Sequence, residues 1–64
     1  MQPHQQRVID EQFELDQKLE KLTAFFKTQI FSDLDIEEQC RLRAQAYHMN
    51  EYSKTLGERI SKFN

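Results

Sequence analysis

Between Gln5 and Leu34 the chain has neither glycine nor proline, and its apolar residues recur at helical intervals. Val8, Leu15, Leu19, Leu22, Phe26 and Ile30 follow one another at spacings of seven, four, three, four and four. At about 100° per residue these side chains fall within an arc of roughly 80°, with Gln12 as a polar interruption. The pattern predicts one long amphipathic helix over about residues 3–30, begun by Pro3, whose missing N–H costs nothing at a first helical position. Glu14 and Lys18 stand four apart in the favourable order on its surface.

The periodicity breaks once, between Gln29 and Glu38, which places a turn at about residues 31–35. Asp35 reads as the N-cap of a second helix, with Glu38 three residues on as its reciprocal partner and Ser32 as an alternative cap. The second helix, over about residues 36–63, carries Leu42, Gln45, Met49, Tyr52, Leu56, Ile60 and Phe63 on one face. Two amphipathic helices of similar length joined by a short connection fold back on each other. The expected fold is therefore all-α: an antiparallel, coiled-coil-like two-helix hairpin, forming a single domain over residues 1–64. The register pairs Phe26 with Leu42, Leu22 with Gln45, Leu19 with Met49, Leu15 with Tyr52, Gln12 with Leu56 and Val8 with Ile60.

A chain of 64 residues hides a modest share of its surface on folding and commonly needs a disulfide, a metal or a partner. Cys40 is the only cysteine, and with His4 and His48 it makes no recognisable zinc spacing, so neither an internal disulfide nor a metal is expected. Association remains, and the hairpin is expected to form a four-helix bundle or higher homo-oligomer. A net charge of −2 argues against direct DNA binding. The polar N-terminus predicts no signal peptide, apolar runs stop at two or three residues, and a lone thiol fits a reducing cytosol.

Two apolar sets fall outside the pairing faces. Ile36, Cys40, Ala44 and Tyr47 form a stripe on the second helix, pointing more than about 90° from Leu42 and Met49. Together with the acids Asp33, Asp35, Glu37 and Glu38 they make a candidate partner-binding surface at the turn end. Those acids also suit the positive end of a helix, so the structural role of charge near a helix start accounts for part of the cluster. Ile9 and Phe13 form the second set, on the first helix. Beside the core stripe of the second helix, Ala46, Ser53 and Gly57 leave a notch, and glycine inside a helix costs about 1 kcal/mol against alanine. Phe13, from the same or another copy, is expected to pack over Ser53 and Gly57, so Ile9, Phe13, Ser53 and Gly57 form a candidate oligomer interface; a kink or early helix end at Gly57 is the competing reading.

Catalytic chemistry is thin. Acid–base catalysis needs a proton-transfer group in a concave, partly dry site, and a hairpin offers convex faces. Cys40 has arginine neighbours that could lower its pKa, but nucleophilic catalysis also needs a positioned base. The expectation is a non-enzymatic protein without cofactors. Arg41 and Arg43, with Lys27 across the turn, form a candidate anion site sufficient for a phosphate, and in an oligomer Arg41, Arg43 or Arg59 would meet phosphates at the subunit junction.

His4-Gln5-Gln6-Arg7-Val8, Glu11, Glu14-Leu15-Asp16, Lys18, Leu22 and Phe26, followed by Arg41-Leu42, Gln45, Met49 and Tyr52-Ser53-x-x-Leu56-Gly57-Glu58-Arg59-Ile60 with Phe63, form a pattern along nearly the whole chain. It resembles small phage and prophage proteins catalogued as crAss-phage-related, with Phe13 standing where that pattern has a small residue. The resemblance implies a phage or prophage origin and a site of action in the host bacterial cytosol, without a settled activity. By analogy of lifestyle it suggests an anti-CRISPR-like inhibitor that occludes a surface of a host defence complex. The alternatives are an oligomeric sponge for a cyclic-nucleotide immune signal and a purely structural oligomerisation module.

Overall fold

A computed structural model describes residues 2–63; Met1 and Asn64 lie outside it. The described chain is helical, in the order α1 (Pro3–Phe25), α2 (Gln29–Asp33) and α3 (Ile36–Ile60), and α1 and α3 pack as the two arms of an antiparallel hairpin. At the start of α1 the Gln2 amide donates to the Gln5 side chain at 3.0 Å, and the Gln2 carbonyl accepts from the amides of Gln5 and Gln6.

The first helix stops at Phe25 instead of continuing to residue 30, and the expected loop at 31–35 is partly the helix α2. Thr28 is the cause. Its hydroxyl donates to the Phe25 carbonyl at 2.7 Å, which closes α1, and accepts from the Phe31 amide at 3.2 Å, which opens α2. A threonine hydroxyl thereby offers the backbone an alternative to the next helical turn. The bend rotates Ile30 out of the predicted stripe, leaving it 67% exposed, and turns Phe31 inward, where it is buried. Phe31 packs on Phe26, with ring centroids 4.8 Å apart, and edge-on to Phe25 at 5.9 Å. The three rings plug the closed end of the hairpin.

Asp35 caps α3 as expected, accepting from the Glu38 amide at 2.8 Å. Glu38 does not answer as the reciprocal partner. Its carboxylate accepts instead from Arg41 at 2.9 Å, a nearer cation on the same helical face. The connection is held by Gln39, whose amide nitrogen donates to the carbonyls of Leu34 at 2.9 Å and Ser32 at 3.2 Å. Among the described residues the side-chain ion pairs are Glu38–Arg41 and Glu51–Lys54, so the expected Glu14–Lys18 pair is not made. The second helix continues through Gly57 and ends at Ile60, three residues before the predicted end, which excludes termination at the glycine.

Val8, Gln12, Leu15, Leu19, Leu22 and Phe26 line the inner face of α1, as their spacing predicts. On α3 the inner face is Leu42, Ala46, Met49, Ser53, Leu56, Ile60 and, just beyond the helix, Phe63. Gln45 and Tyr52, expected inside, are exposed, and Ala46 and Ser53 take their places. Both inner faces then alternate spacings of four and three, the seam of a left-handed coiled coil. The reason for the shift is polar: a buried Gln amide or Tyr hydroxyl needs a partner, and at the flank both reach water or a carboxylate. Leu56 is fully buried, and Gln12 bonds at the level of Ser53 and Gly57, which bracket it, so the expected Gln12–Leu56 register holds.

Candidate functional site

Three places in the hairpin carry groups that its own packing does not consume. The first is the stripe on α3. Ile36 is 70% and Tyr47 61% exposed, and Cys40 and Ala44 between them are exposed as well. Tyr47 leans edge-on against His48, with ring centroids 5.4 Å apart. The structure gives the flanking acids internal duties: Asp33 accepts from Gln29 at 2.8 Å, Asp35 caps α3, and Glu38 holds Arg41. Glu37 lies exposed in the first turn of α3, where a carboxylate is favoured. The acids of the candidate surface are thus mainly those that build the turn, and the apolar stripe is what they leave unpartnered.

The second place is the closed end. Arg43 lies over the aromatic plug, its guanidinium carbon 5.2 Å from the Phe26 ring centre and 5.1 Å from that of Phe31. Stacking on two rings holds the guanidinium plane while its edge, which carries the N–H donors, stays available. Among the described residues Arg43 makes no side-chain hydrogen bond or ion pair, whereas Arg41 is engaged by Glu38. Arg59 stands sixteen residues along α3 from Arg43, about 24 Å at 1.5 Å per residue. Arg59 is therefore remote from Arg41 and Arg43 within a single hairpin. Of these two, Arg43 is the one whose donors stay unpaired among the described residues, and its signal in sequence is an arginine close to the level of Phe26.

The third place is the notch at Gly57. The residue that enters it is Gln12, not Phe13. Gln12 Nε2 donates to the Ser53 carbonyl at 3.0 Å and lies 3.1 Å from where a Cβ at Gly57 would stand. Ser53 Oγ donates to Asp16 at 2.5 Å, and on the opposite flank the Tyr52 hydroxyl donates to Glu11. That bond, with the charge of Glu11, holds the Tyr52 phenol above its ordinary pKa. Phe13 lies one residue round the helix from Gln12 and is 63% exposed, so packing over Ser53 and Gly57 within one chain is excluded. In the sequence Gln12 is a polar interruption of the stripe; its partner is a backbone carbonyl, which no side-chain pattern displays.

None of these places is an enclosed catalytic pocket. A shallow depression lined by Gln17, Glu20, Lys21 and Ala24 lies on the outer side of α1, away from Arg43 and from the stripe. The described residues hold no group of three or more His, Cys, Asp or Glu that could ligate a metal, and none of their helices is long and apolar enough to cross a membrane.

The family model described as Sequestin matches residues 2–62. The chain belongs to the Sequestin family. The match takes in α1, the turn and the whole of α3, so the family pattern covers both arms of the hairpin, the aromatic plug and Gly57. No curated protein and no solved structure is significantly similar to the chain.

Proposed function

We propose that this Sequestin family member works by stoichiometric capture, without turnover, and that its ligand is a small anionic nucleotide signal of the cyclic-nucleotide class. The observation that carries the reading is the family match over residues 2–62, because the family's name speaks of sequestration. The convex hairpin supports capture over catalysis: it offers stacked and charged surface but no dry concavity for a proton-transfer group. Arg43 supports an anionic ligand. A guanidinium fixed over two rings meets phosphate oxygens through paired N–H donors with little further ordering. A single hairpin covers only one side of such a ligand, so the reading uses more than one copy. The phage or prophage origin implied by the sequence pattern, and action in the host cytosol against a defence signal, complete the proposal.

Isothermal titration calorimetry of the full chain against a panel of cyclic di- and trinucleotides tests it. Saturable binding is expected, weakened about 10- to 100-fold by Arg43→Ala, the worth of one or two hydrogen bonds to a charged group. Arg43→Lys should also weaken it, because an ammonium lacks the planar fork. Silence across the panel would overturn the reading.

A second reading, capture of a host protein by surface occlusion, is favoured by the exposure of Ile36 and Tyr47 on one helical stripe. Under that reading Ile36→Asp or Tyr47→Asp abolishes recovery of one discrete host protein by the immobilised chain, while Arg43→Ala does not.

A further inference from the structure

Ile30 and Phe31 compete to fill the closed end of the hairpin, and the hydrophobic period of the chain favours Ile30. If α1 ran on past Phe25 without a break, Ile30, four residues after Phe26, would lie about 40° round the helix from it and take the inner face. Phe31, five residues after Phe26, would lie about 140° round and face water. The structure has the reverse: Phe31 is 3% exposed and Ile30 67%. That exchange decides what Arg43 rests on. Its guanidinium carbon stands 5.1 Å from the Phe31 ring centre and 5.2 Å from that of Phe26, and the two ring centres are 4.8 Å apart. An isoleucine in the place of Phe31 has no ring face, so a cation over it meets no quadrupole.

The exchange depends on Thr28. Neither glycine nor proline occurs between Gln5 and Leu34, so the break comes from a side chain that enters the helical ladder. Thr28 Oγ1 donates to the Phe25 carbonyl at 2.7 Å and accepts from the Phe31 amide at 3.2 Å. The Thr28 carbonyl accepts from the Ser32 amide at 3.3 Å and so carries the first backbone bond of α2. Gln39 fastens the far side of the turn, but its bonds reach Ser32 and Leu34, beyond Phe31. Among the described residues no acid pairs with Arg43, and Glu38, five residues before it, holds Arg41. The two rings are what fixes the guanidinium.

We propose that Thr28 is a positioning residue for the Arg43 guanidinium: its hydroxyl turns Phe31 in beside Phe26, and the paired rings hold Arg43 ready for a phosphate. Thr28 itself touches no ligand. It acts on affinity through ordering that is complete before the anion arrives. The consequence for binding rests on the capture reading given above, whereas the ordering of Arg43 does not. The attraction of a cation to one ring at an exposed site corresponds to about two- to fivefold in an equilibrium constant. That is the share of affinity under the control of Thr28, against about 10- to 100-fold for Arg43 itself.

Nuclear magnetic resonance of the full chain without nucleotide, paired with calorimetry, tests the assignment. In the unaltered chain the Arg43 side-chain protons are expected to be shielded by the ring faces and its Nε–H to be ordered. Thr28→Val keeps the shape of the side chain and removes the hydroxyl; it should move the Arg43 shifts toward those of a solvated arginine and loosen the Nε–H. Thr28→Ser returns a hydroxyl and should restore both. Phe31→Leu leaves Thr28 intact and should release Arg43 as Thr28→Val does. Val8→Ala, about 26 Å along α1 from Phe25, lowers stability at the open end and should leave the Arg43 signal in place. Affinity for a cyclic nucleotide that binds the unaltered chain should fall about two- to fivefold in Thr28→Val and Phe31→Leu and recover in Thr28→Ser. An Arg43 signal that ignores Thr28→Val, is not rescued by Thr28→Ser, or moves equally in Val8→Ala would overturn the positioning role. Silence of every nucleotide, with Arg43 order still following the hydroxyl, supports the positioning role and overturns the capture reading. Binding that is lost in Arg43→Ala yet untouched by Thr28→Val does the opposite.

Discussion

Replacing Gly57 by alanine is expected to change stability very little, and the reason can be isolated. Glycine inside a helix is about 0.8–1.0 kcal/mol less favourable than alanine, so the substitution alone should stabilise α3 by that amount. The new Cβ, however, would stand 3.1 Å from Gln12 Nε2, closer than an ordinary contact. Gln12 can give way because its amide ends a flexible side chain, but the few tenths of an ångström it must move weaken its 3.0 Å bond to the Ser53 carbonyl. A neutral hydrogen bond of this kind contributes about 0.5–1.5 kcal/mol, so the two effects nearly cancel. In a Gln12→Ala chain there is no amide to displace, and Gly57→Ala should then show its full stabilisation. The double-mutant cycle therefore has an expected coupling of about 1 kcal/mol, well above the few tenths by which independent sites fail to add. Urea unfolding followed by helical circular dichroism reads it as shifts of midpoint at constant slope. If Gly57→Ala stabilises both backgrounds equally, Gln12 does not occupy the notch and the account of the glycine is wrong.

Three further outcomes follow from the geometry. Thr28→Ala removes both the closing bond of α1 and the cap of α2, and should cost about 1–2 kcal/mol in the same unfolding assay; an effect within a few tenths would show that the hydroxyl does not make the bend. Leu56→Ala should cost about 2–5 kcal/mol, enough to unfold much of so small a chain, whereas Ile30→Ala should be nearly neutral despite its place in the predicted stripe. In a Tyr47→Phe chain the tyrosinate absorbance of Tyr52 should rise at higher pH than that of an ordinary tyrosine, and Glu11→Gln should move it back down. Because the folded-state pKa is raised, the bond stabilises the protein below the ordinary tyrosine range and is lost as pH rises through the folded value; Tyr52→Phe should remove that alkaline loss.

The hairpin was legible because its inner faces are long and repeat regularly, so no single residue decides them. What the pattern missed lies where one polar side chain outweighs periodicity. Thr28 has no mark in a hydrophobic stripe, yet its two backbone bonds end a helix that the spacing carries to Ile30 and turn Phe31 into the core. Tyr52 and Gln45 sit only about 100° round the helix from Ser53 and Ala46, so apolar volume alone favoured the larger pair, while their polar atoms required the flank. The apolar stripe from Ile36 to Tyr47 was readable as unpaired. Arg43 was recognised as a cation, but its shelf is built from Phe26 and Phe31, which come together only once the bend at Thr28 exists.

Capture without turnover is tested most directly by a release experiment. A cyclic nucleotide that binds in calorimetry is mixed with excess full-length chain, the solution is passed through a membrane that retains protein, and the retained fraction is heated and chromatographed. The account predicts a filtrate depleted of nucleotide, full recovery of the intact compound on heating, and loss of the depletion in Arg43→Ala. A filtrate that keeps its nucleotide, or a heated fraction that returns a cleaved or linearised product, would contradict it.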